Sequence, residues 1–336
     1  MAIPLPVDKL KFFSYFFPQN VQNLHFKTIY NNMRVHTNFI SEEEYLAQMK
    51  SGALLNPRID STFKALFTQP TEESRNALHS FLEAATERKI QSVELTANEA
   101  PAAFEKQRGV SYDILCIFDD GKPANLEMMA FNQQYPYGKR AEYQVSRLET
   151  TYLRKGDTWE KAPKVYQITV LDFVYDKTSI EAVSRYAMRT ADNRELANTL
   201  NVIFIELPKV TRLENSIEKN TALENWAIFL KDADNPKKSG IIQKLTETEA
   251  GLMNAKQSLS SISADRDLWV EQFRQEIHER DYRSGIAAAE NRGRSEAQLA
   301  LAKKYMAMGH TAEEAAAFAE IDVKLLNEKT GRAYER

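Results

Sequence analysis

Two apolar runs joined by Asp119, Asp120 and Gly121 occupy residues 111–131 of this 336-residue chain, SYDILCIFDDGKPANLEMMAF. An Asp-Gly pair favours a tight reversal, because glycine readily adopts the positive φ that short hairpin turns require. The stretch therefore predicts a β-hairpin. Its first run, residues 114–118, is apolar on both faces, which favours a strand in the interior of a sheet that is covered on both sides.

Successive side chains of a strand point to opposite faces, and the predicted hairpin separates polar from apolar residues in this way. The odd positions carry Ser111, Asp113, Asn125 and Glu127 on one face. The even positions carry Tyr112, Ile114, Cys116, Phe118, Leu126 and Met128 on the other face. Asp113 and Glu127 are the two acidic residues of the polar face.

The loop length decides whether these two carboxylates are neighbours. A three-residue loop, 119–121, places Asp113 directly opposite Glu127, with Cβ atoms roughly 5 Å apart. Carboxylates that close repel each other unless one is protonated or a cation lies between them, and a hard divalent metal would meet that need. A two-residue loop would instead oppose Asp113 to Met128. An acidic residue on a solvated face is the simpler reading, but charge beside a doubly covered strand is costly unless it is paired or used.

Composition indicates a globular protein of one main domain with an appendage, since 43% of the residues are hydrophobic and 27% are charged. The net charge of −3 means that any nucleic-acid contact would come from a local patch. The single cysteine, Cys116, is expected to be a buried, inert thiol of a cytoplasmic protein. We expect neither a signal peptide nor a transmembrane helix. Glycine-rich phosphate loops and a His-Glu-x-x-His motif are absent, and the five histidines have no ligand spacing.

Helices are predicted on both sides of the hairpin in sequence. Residues 60–67 form a short helix that Asp60 is placed to cap, and residues 72–87 form a second one. A third helix covers residues 139–153. Arg140, Tyr143 and Arg147 recur on it at intervals of three and four residues, so they could reach one phosphate backbone together. A solvated charged face would explain the same pattern.

The remaining chain divides by composition. Residues 164–173 and 200–207 are predicted strands, and residues 232–266 are predicted to be a polar connector with some helix. Residues 267–336 are predicted to be helical, with Thr311 and Glu314 as a capping box. This region resembles a helix-turn-helix in outline, but a helical or oligomerisation appendage is the simpler reading. Residues 1–50 are an N-terminal extension to which the sequence assigns no role.

Several ordered motifs together resemble the PD-(D/E)XK nuclease superfamily, in particular the transposase-associated group that includes the Rpn recombination-promoting nucleases. The motifs, from Asp60 to about residue 230, are the DSTFKALF segment, Asp113, the NLE segment ending at Glu127, the RAEY helix, the strand of residues 164–173 and the FIELPK segment. The resemblance implies an α/β fold with a mixed central sheet flanked by helices, here over residues 51–231. The helical C-terminal region also looks like the tail of many relatives.

The resemblance further implies a Mg²⁺-dependent DNA endonuclease, with Mn²⁺ as a substitute ion and a link to recombination or mobile elements. Asp113 and Glu127 would be catalytic and would bind the metal, and Asp60 would contribute a ligand or orient one. DNA would be contacted by Lys64, Arg140, Tyr143 and Arg147. A homo-oligomer formed through the C-terminal helices is compatible with this reading.

Met129 departs from the family pattern. Two residues after the acidic residue the superfamily places Lys, and this group often Gln, to orient water or contact phosphate. A thioether cannot donate a hydrogen bond. Either another residue substitutes, the candidates being Lys64, Gln133, Gln134 and Lys139, or the fold has lost activity. In the second case it would act as a module that binds nucleic acid or protein.

Overall fold

The computed structural model describes residues 41–97, 99–100, 108–131, 136–153 and 155–331. The chain divides into two units, residues 1–48 and residues 49–336. Helix α1, Glu42–Lys50, begins directly after Ser41. Ser41 and Glu44 form a reciprocal cap, in which the Ser41 Oγ accepts from the Glu44 N–H at 3.2 Å and Glu44 Oε2 accepts from the Ser41 N–H at 2.8 Å. The rest of the N-terminal extension lies outside the described residues.

The larger unit contains nine further α-helices and eight strands among its described residues. The helices are α2 Asp60–Thr68, α3 Glu72–Thr86, α4 Tyr137–Tyr152, α5 Ala222–Asp232, α6 Ser239–Thr248, α7 Ala250–Ile262, α8 Arg266–Ala307, α9 Ala312–Phe318 and α10 Val323–Thr330. The strands are β1 Val93–Leu95, β2 Glu99–Ala100, β3 Val110–Ser111, β4 Ile114–Phe118, β5 Pro123–Met129, β6 Val165–Leu171, β7 Val183–Ala187 and β8 Leu200–Glu206.

Six strands form one mixed sheet in the order β1-β4-β5-β6-β8-β7. The three central strands β5, β6 and β8 are parallel, and β1, β4 and β7 pair antiparallel with their neighbours. Strands β2 and β3 form a separate antiparallel pair. The sheet is flanked by helices, so the predicted α/β fold with a mixed central sheet is confirmed.

The hairpin adopts the three-residue loop. Ile114 pairs with Leu126 and Cys116 pairs with Ala124, and the Phe118 N–H donates to Lys122 O at 3.0 Å. Gly121 closes the loop with φ of +75°, the conformation for which glycine is suited. The alternative prediction of a two-residue loop is therefore wrong. The paired register ends at Ile114 and Leu126, and Asp113 lies in a bend just before strand β4, where its Oδ2 accepts from the Met128 N–H at 3.3 Å. Tyr112 packs with Leu115 and Met129 on the α4 side, so the predicted alternation of faces is wrong at Tyr112 and Asp113.

Helix α4 covers the face of the sheet that carries the odd-numbered hairpin residues. Its buried side chains, among them Val145 and Leu148, pack with Leu115 and Met129 of the hairpin. Helix α2 contacts strand β5 and packs with α3 and α7. Trp226 of α5 forms the centre of an aromatic cluster there, with its ring 5.3 Å from that of Phe81. The hairpin is thus held between α4 and the layer to which α2 belongs.

The segment predicted to be a polar connector, residues 232–266, is mostly helical and contributes to the core. Leu245 of α6 and Leu252 and Leu259 of α7 are completely buried. Helix α7 packs along α3, and Ser258 Oγ donates to Leu66 O at 2.8 Å. Composition obscured this role because the exposed sides of both helices carry polar residues, among them Lys244 and Thr248 on α6 and Gln257 and Ser260 on α7.

Helix α8 is 42 residues long and has two environments. Near the beginning of the helix, Trp269 and Gln272 are buried. Residues 287–297, in contrast, are exposed on all sides of the helix. Its end packs with α9 and α10 around Ala302, Ala315 and Leu326. Thr311 and Glu314 form the predicted capping box. None of the described helices, including this long polar one, could cross a membrane.

Candidate active site

Helix α2 brings two of the predicted site residues together. Its buried stripe, which includes Phe63, Leu66 and Phe67, leaves Asp60 and Lys64 one turn apart on another side of the helix. The Lys64 Nζ lies 2.9 Å from Asp60 Oδ2 and 3.0 Å from Asp113 Oδ1. A predicted metal ligand, a predicted substrate-binding lysine and a predicted catalytic carboxylate therefore form one cluster.

The prediction that Asp60 caps this helix is wrong. Ile59 occupies the N-cap in an extended conformation and offers no side-chain acceptor, and Asp60 is the first helical residue. The Ser61 N–H is instead accepted by Gln275 Oε1 of helix α8 at 3.2 Å. The Asp60 carboxylate does not cap the helix and accepts a hydrogen bond from Lys64 Nζ at 2.9 Å.

Asp113 is the residue of the site whose ionisation is most altered. Burial raises the pKa of Asp113 to about 6, with further contributions from the negative charges of Asp60 and Glu127. The positive charge of Lys64 opposes the rise. Asp60 and Glu127 are thus close enough to Asp113 to influence its ionisation.

Glu127 is almost completely buried in the middle strand of the site. It forms an ion pair with Arg140 of α4 and accepts a hydrogen bond from Gln167 Nε2 at 3.0 Å. Burial raises the pKa of Glu127, although the charge of Arg140 and three hydrogen-bonding side chains oppose the rise. Those side chains are Gln144, Gln167 and Tyr137.

A buried ladder of polar side chains holds this carboxylate in place. Gln167 lies on β6 beside Asn125 and accepts from its Nδ2 at 2.9 Å, while donating to Glu127. On the same strand Thr169 accepts from the Tyr137 hydroxyl at 3.1 Å. Sequence reasoning placed Asn125 on the polar face but gave no role to Gln167, Thr169 or Tyr137. The available signal was the pair of polar residues, Gln167 and Thr169, within the alternating strand predicted at residues 164–173.

Met129 lies on the same face as Glu127 and is buried, with its Sδ 4.0 Å from Arg140 Nη1. The cation that contacts the second carboxylate, Asp113, is Lys64. Burial disfavours the charged form of Lys64, but the carboxylates of Asp113 and Asp60 outweigh this effect and raise its pKa. Lys64 is therefore a cation at neutral pH. Of the other predicted substitutes, Gln133 and Gln134 lie outside the described residues.

The three residues of α4 that are predicted to contact nucleic acid have different surroundings. Arg140 is paired with Glu127, and the Tyr143 hydroxyl donates to Arg108 O at 2.8 Å. Both side chains line a cavity, together with Lys139. Arg147 is half-buried one turn further along and does not line this cavity.

The residues present fit a divalent cation in their chemistry. Mg²⁺ is usually held by one or two carboxylates, with waters and substrate phosphate oxygens completing its coordination. Burial is the main cause that raises the pKa of Asp113, and the negative charges of Asp60 and Glu127 add to it; a bound cation would oppose this rise. Within the described residues, no three His, Cys, Asp or Glu side chains are grouped closely enough to enclose a metal.

The structure is an α/β protein whose mixed sheet is flanked by helices, and the two carboxylates at its hairpin, Asp113 and Glu127, are each paired with a basic side chain from a flanking helix. The chain belongs to the PD-(D/E)XK nuclease family transposase family, whose sequence model matches residues 57–289. No curated protein and no solved structure matches the chain significantly. Membership of this family supports a nuclease-type function and a nucleic acid as partner. Nucleases of this kind generally use divalent metal ions.

Proposed function

We propose that this protein is a metal-dependent DNA endonuclease that hydrolyses phosphodiester bonds in connection with recombination or mobile elements. The observation that carries the proposal is the closeness of Asp113 to the strand of Glu127, since its Oδ2 accepts from the N–H of the neighbouring Met128 at 3.3 Å. The interaction of Asp60, Asp113 and Lys64 beside that pair supports it.

In this proposal Asp113 and Glu127 hold Mg²⁺ or Mn²⁺, and Asp60 contributes a ligand or orients one. A bound divalent ion would polarise the scissile phosphate, lower the pKa of a water and stabilise the leaving oxygen. The buried ladder that ends at Glu127 keeps this carboxylate in one orientation. Arg140 balances its charge in the absence of other cations.

Lys64 takes over the electrostatic part of the role that Met129 cannot perform. Its raised pKa makes it a poor base, so it cannot accept the proton of the attacking water. An ammonium group beside Asp113 is suited to contact a phosphate oxygen and to stabilise the negative charge that develops there. Arg140, Tyr143 and Arg147 are proposed to contact the DNA strand from α4.

A supercoiled-plasmid nicking assay with Mg²⁺ or Mn²⁺ tests this function. Wild type should nick the plasmid, and Asp113→Asn and Glu127→Gln should not. The exposed Asp281→Asn, on helix α8, is the matched control and should nick like wild type. Nicking that persists in a clean Asp113→Asn preparation would rule out the proposed site.

The second candidate function is a degenerate nuclease fold that binds nucleic acid or another protein without cutting it. Met129 favours this candidate, because it leaves the usual water-orienting position without a hydrogen-bonding group. Met129→Gln separates the two functions. Nicking by Met129→Gln but not by wild type would show a metal site that has lost one catalytic group.

Assembly through the C-terminal helices remains a separate proposal. Met308 and Phe318 are exposed there by 69% and 55%. The mass in solution of the full chain should fall in a Met308→Ser/Phe318→Ser variant if these helices form the contact. An unchanged monomer mass in both proteins would exclude it.

A further inference from the structure

A cavity of about 700 Å³ lies beside the Glu127 side of the site. It is bounded by the first turns of helix α4 and by the chain around strand β3. Arg140 lines the cavity and also forms the ion pair with Glu127. A ligand in the cavity would therefore be one side chain away from the proposed metal position.

The described lining of this cavity is cationic. Arg108, Lys139 and Arg140 contribute positive charge, and none of the described lining residues is acidic. The N-terminus of the 16-residue helix α4 reaches the cavity at Pro136, and no side chain caps that end. Helix N-termini carry partial positive charge, which adds to the attraction for an anion. The cavity is suited to a phosphate group.

Gln144 provides an independent indication of a ligand. Its side chain lines the cavity, is only 2% exposed and hydrogen-bonds to Glu127. Among the residues that the structure describes, none donates a hydrogen bond to its Oε1. A buried acceptor without a partner destabilises a protein unless some group donates to it. A ligand that carries N–H or O–H donors would meet this need, whereas a bare phosphate dianion would not.

Tyr143 offers an aromatic surface in the same cavity. The residue is 37% exposed, and its hydroxyl bond to Arg108 O fixes the ring at the wall. Nucleobases stack on such rings whatever their sequence. Phosphate-binding cations, a stacking ring and an unpaired acceptor are together the chemistry that recognises a nucleotide.

We propose that this cavity binds one unpaired nucleotide of the substrate strand, next to the phosphate to be cut. The volume lies within the roughly 300–1,000 Å³ range of small-ligand sites, which suits one nucleotide and excludes a length of duplex. The inference rests on the proposed nuclease function for the choice of a nucleic-acid strand. It deepens that function by making single strands, flaps or flipped bases the substrate class.

The test is binding without metal, measured by fluorescence anisotropy in EDTA with the full-length chain. The probes are a labelled 12-nucleotide single strand and a blunt duplex of the same sequence. Wild type should bind the single strand at least tenfold more tightly than the duplex. A deoxynucleoside 5′-monophosphate should compete at concentrations at which inorganic phosphate does not.

Two variants and two controls locate the binding. Tyr143→Ala should weaken single-strand binding by about tenfold because it removes the stacking ring, and Lys139→Glu should weaken it by about tenfold because it places a negative charge beside the phosphate. Tyr186→Ala on strand β7 and Lys324→Glu on helix α10 carry the same changes at exposed positions away from the cavity and should bind like wild type. Thermal melting of each variant confirms that it is folded.

Equal affinity for duplex and single strand, equal competition by phosphate, or full binding by Tyr143→Ala and Lys139→Glu would each overturn the inference. These outcomes leave the proposed endonuclease intact, because plasmid nicking is measured separately. Conversely, single-strand binding of the expected pattern in a protein that never nicks would sustain the cavity assignment and remove the catalytic proposal.

Discussion

Lys64 and Asp113 form an ion pair, with 3.0 Å between Nζ and Oδ1, that joins helix α2 to the residue preceding strand β4. The same ammonium group contacts Asp60, so one cation forms ion pairs with two of the three carboxylates of the site. The third carboxylate, Glu127, forms an ion pair with Arg140, which lies in the opposite layer. The charge of this site is therefore balanced by side chains of two different helices, and each pair can be tested separately.

Asp113→Asn should abolish nicking and yet stabilise the protein at pH 7.5 by about 1–2 kcal/mol. The pKa of Asp113 is raised to about 6, above the roughly 3.9 of an unfolded aspartate. Between these values the folded protein binds more protons than the unfolded chain, so wild-type stability falls as the pH rises through this window. The advantage of the variant should accordingly shrink below pH 6 and disappear near pH 4. Urea denaturation at pH 4, 6 and 7.5 measures this.

The exposed Asp281→Asn is the control for that series and should change neither the stability nor its pH dependence. A less stable Asp113→Asn at pH 7.5 would show that the ion pair with Lys64 outweighs the burial of the carboxylate.

Lys64→Met should lower the nicking rate by about 100-fold, as the loss of one electrostatic stabiliser typically does. The charge of Lys64 holds down the pKa of Asp113, so its removal should also move the acidic limb of the pH–rate profile to higher pH. The profile separates this effect from simple loss of structure. Lys89→Met, at a fully exposed lysine side chain, should behave like wild type. A reduced nicking rate with an unshifted pH–rate profile would show that Lys64 contacts the phosphate but does not control the ionisation of Asp113.

Arg140→Met should reduce the free energy of unfolding by roughly 1–3 kcal/mol, because it leaves the buried Glu127 carboxylate without its counter-charge. Adding Glu127→Gln should restore most of the loss. Urea denaturation of the two single variants and the double variant measures their coupling. Arg194→Met removes an exposed pair with Asp192 and should cost under about 1 kcal/mol. Additive losses in the double variant would contradict the pairing.

Gln275→Ala should destabilise the protein by about 0.5–2 kcal/mol and also slow nicking, because Gln275 supplies the missing cap of helix α2. Loss of that acceptor frees the end of the helix that carries Asp60. Gln243→Ala removes an exposed glutamine bonded only within α6, to Glu247, and should leave nicking unchanged. Melting temperature and nicking rate are measured on both. A destabilised Gln275→Ala that nicks at the full rate would show that the cap has no influence on the site.

Much of the fold and half of the site follow from local sequence pattern. The alternation of polar and apolar residues with an Asp-Gly turn predicted the hairpin and, with a three-residue loop, its register. The helices that carry Lys64 and Arg140 were predicted from their apolar stripes. The helices at residues 239–262 were underestimated, since their buried residues are few among many polar ones and only packing against α2 and α3 reveals them.

What the sequence by itself determined is a hairpin that carries two carboxylates, Asp113 and Glu127, and a thioether at position 129, because hairpin pairing depends on residues a few positions apart. Tertiary structure decided which cations form ion pairs with those carboxylates. It also decided that Gln167 and Gln144 hydrogen-bond to Glu127. Finally, it decided that Gln275 rather than Asp60 accepts a hydrogen bond from the first turn of helix α2. It also formed the cavity from residues 108–111 and 136–144. These contacts join side chains far apart in the chain, and their partners are selected by the packing of whole helices on the sheet rather than by any local spacing.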